Sequence, residues 1–289
     1  MSEVRDWIAE QWSTDLTLRE WWRRLADAGY AFPTFPKGYG GFGATPQENR
    51  QVQAALSEAG VIAAPFGLGQ IMGAPVVLDH GTDEQKDAWV LNLASGVESW
   101  CQLFSEPGAG SDLASSSTRA VKDGDVWIVN GQKVWTSGAQ VADRGMLVAR
   151  TNADNPKHRG LTYFIIDIDQ PGIEVRPLKQ MNGAAHFNEV FFNDAVVGDD
   201  RIIGSVNDGW MVAVATLAYE RQGLTAGGRG GIAAGAPGAR AGMLDRTVGD
   251  LLERVEQPAM ATNQRTRATS ALRELATTMG KNDDPVLRQ

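Results

Sequence analysis

The hydrophobic pattern of this chain changes period twice, near residue 98 and again near residue 205, and any fold must honour both changes. Before the first change the apolar residues recur at helical spacing. In "LTLREWWRRLADAG", Leu18, Trp21, Trp22 and Leu25 fall on one helical face and Gly29 closes the segment. "TPQENRQVQAALSEAG" opens with Thr45 as cap, Pro46 in the first turn and Glu48 three residues beyond the cap, and "TDEQKDAWVLNLASG" repeats the device with Thr82 and Gln85. Between them, "GLGQIMGAPVVLDHG" reads as a buried, largely apolar helix.

From residue 98 the pattern becomes short runs rich in Val, Ile, Phe and Tyr: "VWIVNG", "GMLVAR", "LTYFIIDI", "IEVRPL" and "NEVFFNDAVV". "KDGD" at 122–125 and "NGQK" at 130–133 predict hairpin turns, which sets Trp127 and Trp135 around the second of them. After residue 205, "NDGWMVAVATLAYERQGL" is apolar almost throughout, as in a helix buried on several sides. The glycines of "TAGGRGGIAAGAPGARAG" cost a helix about 1 kcal/mol each relative to alanine, so this segment is either closely packed or a flexible connection. "RTVGDLLERVEQPAM" and "RTRATSALRELATTM" resume helical character, with Pro258 ending or kinking the first. "KNDDPVLRQ" reads as a helix starting at Pro285 and cut off after one turn, so an incomplete chain is expected. The expected fold is a multidomain α+β protein. Residues 1–97 form a helical domain, 98–204 a β-barrel or sandwich, and 205–289 part of a helical bundle.

Composition narrows the function. At 289 residues with 43% hydrophobic and 21% charged residues, the chain has the balance of a globular protein. A net charge of -8 argues against nucleic acid as a partner and leaves small anions to local arrangements of donors. One cysteine, Cys101, excludes an intramolecular disulfide framework. The three histidines, His80, His158 and His186, are far apart, so no metal site is expected. The start "MSEVRDWIAE" is not a secretory signal and no run is long and apolar enough to span a membrane, so a cytoplasmic location is expected. P-loop, "GxGxxG" and "GxSxG" patterns are absent.

Two elements of the β region carry chemistry. "SEPGAGSD" at 105–112 sets two glycines beside Ser111, where backbone amides and a hydroxyl can hold a pyrophosphate without a lysine cluster. "VWIVNGQKVWTSGA" adds Trp135 as a planar wall for an aromatic ring system, with the hydroxyls of Thr136 and Ser137 beside it. Taken singly, each is an ordinary β-domain segment. Together they suit an aromatic cofactor that carries phosphate.

"LFSEPGAGSD" at 103–112, "NGQKVWTSGA" at 130–139 and "DGWMVAVATLAYERQ" at 208–222 resemble the acyl-CoA dehydrogenase family, with Ser105 where the common form has threonine. The resemblance implies an N-terminal helical domain, a middle β domain and a C-terminal four-helix domain, with FAD between the last two and reaching a neighbouring subunit. It implies oxidation of a saturated acyl-CoA to the 2,3-enoyl-CoA: a carboxylate removes the α proton, a β hydride passes to the flavin, and electrons leave to an electron-transfer flavoprotein. Carried over by position, Phe104, Ser105, Gly110, Trp135 and Ser137 would contact FAD. Ser111 and Arg221 would contact the substrate. In members that carry the base on an earlier helix it lies in an "ER" segment, which here is Glu220 followed by Arg221; in many others it lies beyond the point where this chain ends.

Departures exist as well. The "RxxFG" stretch expected after "YERQG" is not found, and "VVGDDRIIG" lacks the usual proline. They point to a divergent branch, working as a homo-oligomer or as a heteromer with a related subunit. Two alternatives share the fold: a non-catalytic partner subunit, and a flavin-dependent monooxygenase.

Overall fold

Capping boxes open three of the helices described in the first hundred residues. In the computed structural model, which describes residues 2–225, 232–234, 236–256 and 277–278, helices α1 (Ser2–Gln11), α2 (Leu18–Asp27) and α3 (Pro46–Glu58) are followed by a π-helical turn, Gly69–Gly73. Helices α4 (Ala74–His80) and α5 (Asp83–Ala94) complete this region. Thr45 with Glu48, and Thr82 with Gln85, form reciprocal capping boxes as the sequence predicts. A third box, Thr17 with Glu20, opens α2. Trp21 and Trp22 are fully buried, and their indole N–H groups donate to the carbonyls of Ile62 and Ala63, each at 2.7 Å. "GLGQIMGAPVVLDHG" is therefore not one regular helix: its first turn widens to π geometry, where Gly69 and Gly73 lie against Trp100.

The middle of the chain is one eight-stranded sheet: β1 (Trp100–Leu103), β2 (Arg119–Asp123), β3 (Val126–Ser137), β4 (Arg144–Arg150), β5 (Leu161–Asp167), β6 (Ile173–Leu178), β7 (Phe187–Gly198) and β8 (Ile202–Ile203). Strand order is β6-β7-β3-β2-β4-β5-β8, with β1 running parallel to β4. The turn at "KDGD" is real, with Gly124 at φ +58° between β2 and β3. The one expected at "NGQK" is not. β3 runs unbroken from Val126 to Ser137, and Gly131 lies inside it because a Cβ there would stand 2.6 Å from the Thr118 hydroxyl. Trp127 and Trp135 thus share one strand, the first in the sheet's core and the second 61% exposed.

β4 and β5 read as unbroken apolar runs because both of their faces are covered. Leu147, Phe164 and Ile166 pack with Trp127, Val129, Val190 and Phe192 on one side. Met146, Val148, Tyr163 and Ile165 pack on the other with Met72, Val76, Val77, Trp100 and Phe104. Helix α6 (Gly209–Thr225) joins that second core through Val212 and Ala213. Its close approach explains two glycines: a Cβ on Gly209 would stand 2.4 Å from the Tyr163 amide nitrogen, and one on Gly223 would stand 2.9 Å from Ile71.

Part of the glycine-rich segment lies among the described residues, and it is neither a free connection nor a packed helix. Ile232 exchanges backbone hydrogen bonds with Val61 and Ala63, Gly238 donates to Gly96 at 2.8 Å, and Leu244 and Arg246 accept from Arg19 and Leu18. The chain falls into two units, residues 1–248 and 249–289. Of the second, the described residues hold most of helix α7 (Val248–Glu256). Pro258, Pro285 and "RTRATSALRELATTM" except for Thr277 and Thr278 lie outside the described residues. Among the described residues no helix is long and apolar enough to cross a membrane, and no cluster of side chains suits a metal ion.

Candidate active site

The segment "SEPGAGSD" begins where β1 ends, and its acidic residue faces inward. Glu106 and Ala109 exchange backbone hydrogen bonds of 3.0 Å, which sets Pro107 and Gly108 at the tip of a tight turn. The Glu106 carboxylate accepts from Lys133 Nζ at 2.8 Å, from Ser117 N at 2.6 Å and Oγ at 2.8 Å, and from Thr118 N at 3.0 Å. Lys133 Nζ also donates to the Phe104 carbonyl at 2.9 Å. Both side chains of this ion pair are buried, at 0% and 4% exposure. Burial opposes the charge on Glu106, but the Lys133 ammonium and the hydroxyl and amide donors outweigh it and hold the carboxyl below the usual carboxylate range. Burial likewise lowers Lys133, with Glu106 opposing.

A carboxyl depressed in the folded state contributes stability that is complete above its unfolded pKa of about 4.3 and is lost as pH falls through the folded value. Lys133→Met/Glu106→Gln, which removes both charges of the buried pair, is therefore expected to flatten the fall of Tm with acidification below about pH 4. Thermal melts between pH 2 and 6 check this; an unchanged acid limb contradicts it.

Phe104 is buried, with its ring edge-to-face on Tyr163 at 6.0 Å, and its carbonyl is already taken by Lys133. Ser105 is half-buried and its carbonyl accepts from Val134 N at 2.9 Å. That bond stitches the first motif to the second, one residue before Trp135. The Ser105 N–H has no partner among the described residues. Gly108 and Gly110 are not in the left-handed region, and no atom lies within 4 Å of where a Cβ would stand on either. Among the described residues nothing in the fold requires glycine at these positions, and the backbone there is open to approach. Ser111 is exposed, and neighbouring Asp112 pairs with Lys157 at 2.8 Å.

Trp135 sits at φ +60°, where the β3–β7 register shifts between Lys133 and Thr136. A bulky residue held there costs on the order of 1–3 kcal/mol, and such strain collects where a side chain must be aimed. The bulge turns the indole out of the sheet, and its ring neighbour is Phe187, edge-on at 5.9 Å. Beside it, Thr136 is buried and its Oγ1, like Gln102 Nε2 on β1, lacks a hydrogen-bond partner among the described residues, while Ser137 is exposed.

Glu220 is half-buried on α6, on the helical stripe shared with Ala213, Thr216, Leu217 and Gly223, of which Ala213 and Thr216 are fully buried. Arg221, the next residue, is exposed and turns away from that stripe. Tyr219 donates its hydroxyl to Asp79 of α4, which anchors this stretch of the helix; burial and that carboxylate push the phenol up to about 12.

The structure thus brings the two motifs of the β region together, and through Phe104 it joins the first of them to α6 in one core. The sequence alone leaves Lys133 unremarked, because a lysine in "NGQK" looks like a solvated turn residue.

Residues 1–97 match the acyl-CoA dehydrogenase N-terminal domain and residues 101–195 the acyl-CoA dehydrogenase middle domain. Acyl-CoA dehydrogenase FadE34 of Mycobacterium tuberculosis is 47% identical over 203 residues, which is 70% of this chain and 28% of FadE34. The solved Tcur3481-Tcur3483 steroid ACAD superposes with a TM-score of 0.64 at 26% identity, covering 99% of this chain and 68% of that one. The ChsE4-ChsE5 complex from Mycobacterium tuberculosis gives 0.59 at 32% identity, covering 75% and 58%. The chain therefore spans under a third of FadE34. With both domain matches falling on the helical region and the sheet that carry the motifs, the chain belongs to the acyl-CoA dehydrogenase family.

Proposed function

We propose that this chain is the FAD-binding, substrate-oxidising part of an acyl-CoA dehydrogenase, with residues 1–97, 98–204 and 205 onward as its three domains. The observation that carries the reading is Trp135: a strained, outward-turned indole beside a backbone segment whose Ser105 N–H has no partner among the described residues. The donor set suits FAD. Ser105 N–H is free for the polar edge of a ring system, Trp135 supplies a flat wall, and the Gly108–Gly110 backbone stays open to a pyrophosphate. Ser137, exposed two residues past the indole, is assigned as a second polar contact, and exposed Ser111 is assigned to the nucleotide side of the thioester.

When bound, FAD supplies the two-electron acceptor that no side chain can provide. The chain's own part is acid–base chemistry and alignment. Glu220 takes the α proton of the thioester, and its half-buried place on an apolar stripe limits water's competition for the carboxylate. Arg221 is assigned to the substrate by its place in the "ER" segment, from the exposed face of α6 beside that stripe. Electrons then leave to an electron-transfer flavoprotein. The acyl group we put first is bulky and ring-bearing, supported by the likeness to the steroid ACAD and by the small residues Ala213, Ala215 and Ala218 on α6.

Trp135→Gly in the full-length protein is expected to weaken FAD binding at least tenfold while leaving stability level or raising it by about 1 kcal/mol, since glycine relieves the left-handed strain. Equilibrium dialysis and thermal melts read the two effects. Unaltered FAD affinity, or a large drop in Tm, would sink the assignment.

A second reading is favoured by the absence of "RxxFG" after α6 and by the likeness to the ChsE4-ChsE5 complex: a heteromer in which a related subunit completes the FAD site. FAD binding that appears only on adding such a subunit would select it over a homo-oligomer.

A further inference from the structure

We propose that the buried Lys133–Glu106 pair is a positioning device that aims the Ser105 N–H at the bound ligand; this rests on the FAD-binding reading given above. Lys133 Nζ has two acceptors, the Phe104 carbonyl at 2.9 Å and Glu106 Oε1 at 2.8 Å. A trans peptide is planar, with C=O and N–H pointing in opposite directions. Holding the Phe104 carbonyl toward Lys133 therefore turns the Ser105 N–H the other way, away from the Lys133 ammonium. The Ser105 carbonyl is pinned in its turn by Val134 N at 2.9 Å, so the residue is fixed on both sides while its own N–H has no partner among the described residues.

The ion pair is a poor device for stability alone. Desolvating two charges consumes most of what their attraction returns, and apolar side chains of similar volume commonly do as well. What the pair provides that apolar packing cannot is direction. It has one partner in each motif, Glu106 in "SEPGAGSD" and Lys133 in "NGQKVW", so it sets the register of the segment that offers the N–H against the strand that presents Trp135. The remaining lone pairs of Glu106 are met by Ser117 and Thr118, which roots the pair in the chain just before β2.

The test uses the full-length protein. Lys133→Met alone would leave the Glu106 carboxylate buried without its cation and compromise folding, so the informative variant is Lys133→Met/Glu106→Gln, which removes both charges at similar volume. Two readouts are compared with the unsubstituted protein: amide hydrogen exchange over residues 103–110 without FAD, and FAD affinity by equilibrium dialysis. The expected result is a cooperatively folded variant in which exchange across that segment is at least tenfold faster, α2 and α5 are unchanged, and the Kd for FAD is raised at least tenfold. Either shift without the other overturns the proposal, and so does a variant that does not fold, since the pair would then be structural. Failure of the unsubstituted protein to bind FAD strikes the FAD-binding reading itself, and the ligand-facing role falls with it.

Discussion

In the full-length protein, Glu220→Gln is expected to slow removal of the substrate's α proton by about 10²–10⁴-fold, the range usual for loss of a positioned general base. FAD affinity stays as it was. The substitution keeps the side chain's volume and takes away only its ability to accept a proton, so α6 packs as before. Ala213 and Thr216 are fully buried on the same stripe, and Tyr219 holds the helix to Asp79 independently of residue 220. A glutamate that merely decorated the helix would change stability by a few tenths of a kcal/mol and leave chemistry alone. Exchange of the α hydrogen with deuterated solvent distinguishes the two. Undiminished exchange in the variant would place the base elsewhere.

Trp21→Ala has the largest expected effect on stability. The indole is fully buried, donates to the Ile62 carbonyl at 2.7 Å, and meets Trp12 edge-on at 4.5 Å and Trp7 at 5.7 Å. Truncating a buried aromatic of this kind costs about 3–5 kcal/mol through lost transfer energy and the cavity left behind. The Ile62 carbonyl loses its donor as well. The expected shift in Tm is on the order of 10 °C. A loss of less than about 1 kcal/mol in thermal or denaturant melts would mean that this part of the core collapses around the gap or is already loose.

How much of this was legible in the sequence depended on whether the information was local. The boxes at Thr45 and Thr82 were readable because a cap and its partner lie three residues apart, as were the buried face of α2 and the turn at Gly124. The hairpin expected at "NGQK" was wrong for the same reason. Locally Asn130-Gly131 is a strong turn signal, but the glycine is there to let β3 pass the Thr118 side chain, a contact twelve or more residues away in the chain. The role of Glu106 was illegible because its partner is on another strand, and so was the course of the chain at Ile232, Gly238, Leu244 and Arg246, whose backbone bonds go to Val61 and Ala63, to Gly96 and to α2. The motifs themselves were readable. What they could not reveal is that Trp135 is strained and exposed while Trp127 is core, since strand alternation with a bulge between them reverses the simple count.

The central claim is that this chain binds FAD and oxidises a saturated acyl-CoA thioester. The most direct measurement is the visible spectrum of the full-length, FAD-loaded protein during anaerobic titration with saturated acyl-CoA thioesters graded from short linear to steroid-like acyl groups. Loss of the oxidised-flavin band, with formation of the enoyl-CoA and the greatest response at the bulky end, is the predicted result. FAD that stays bound and oxidised across the whole series would contradict it.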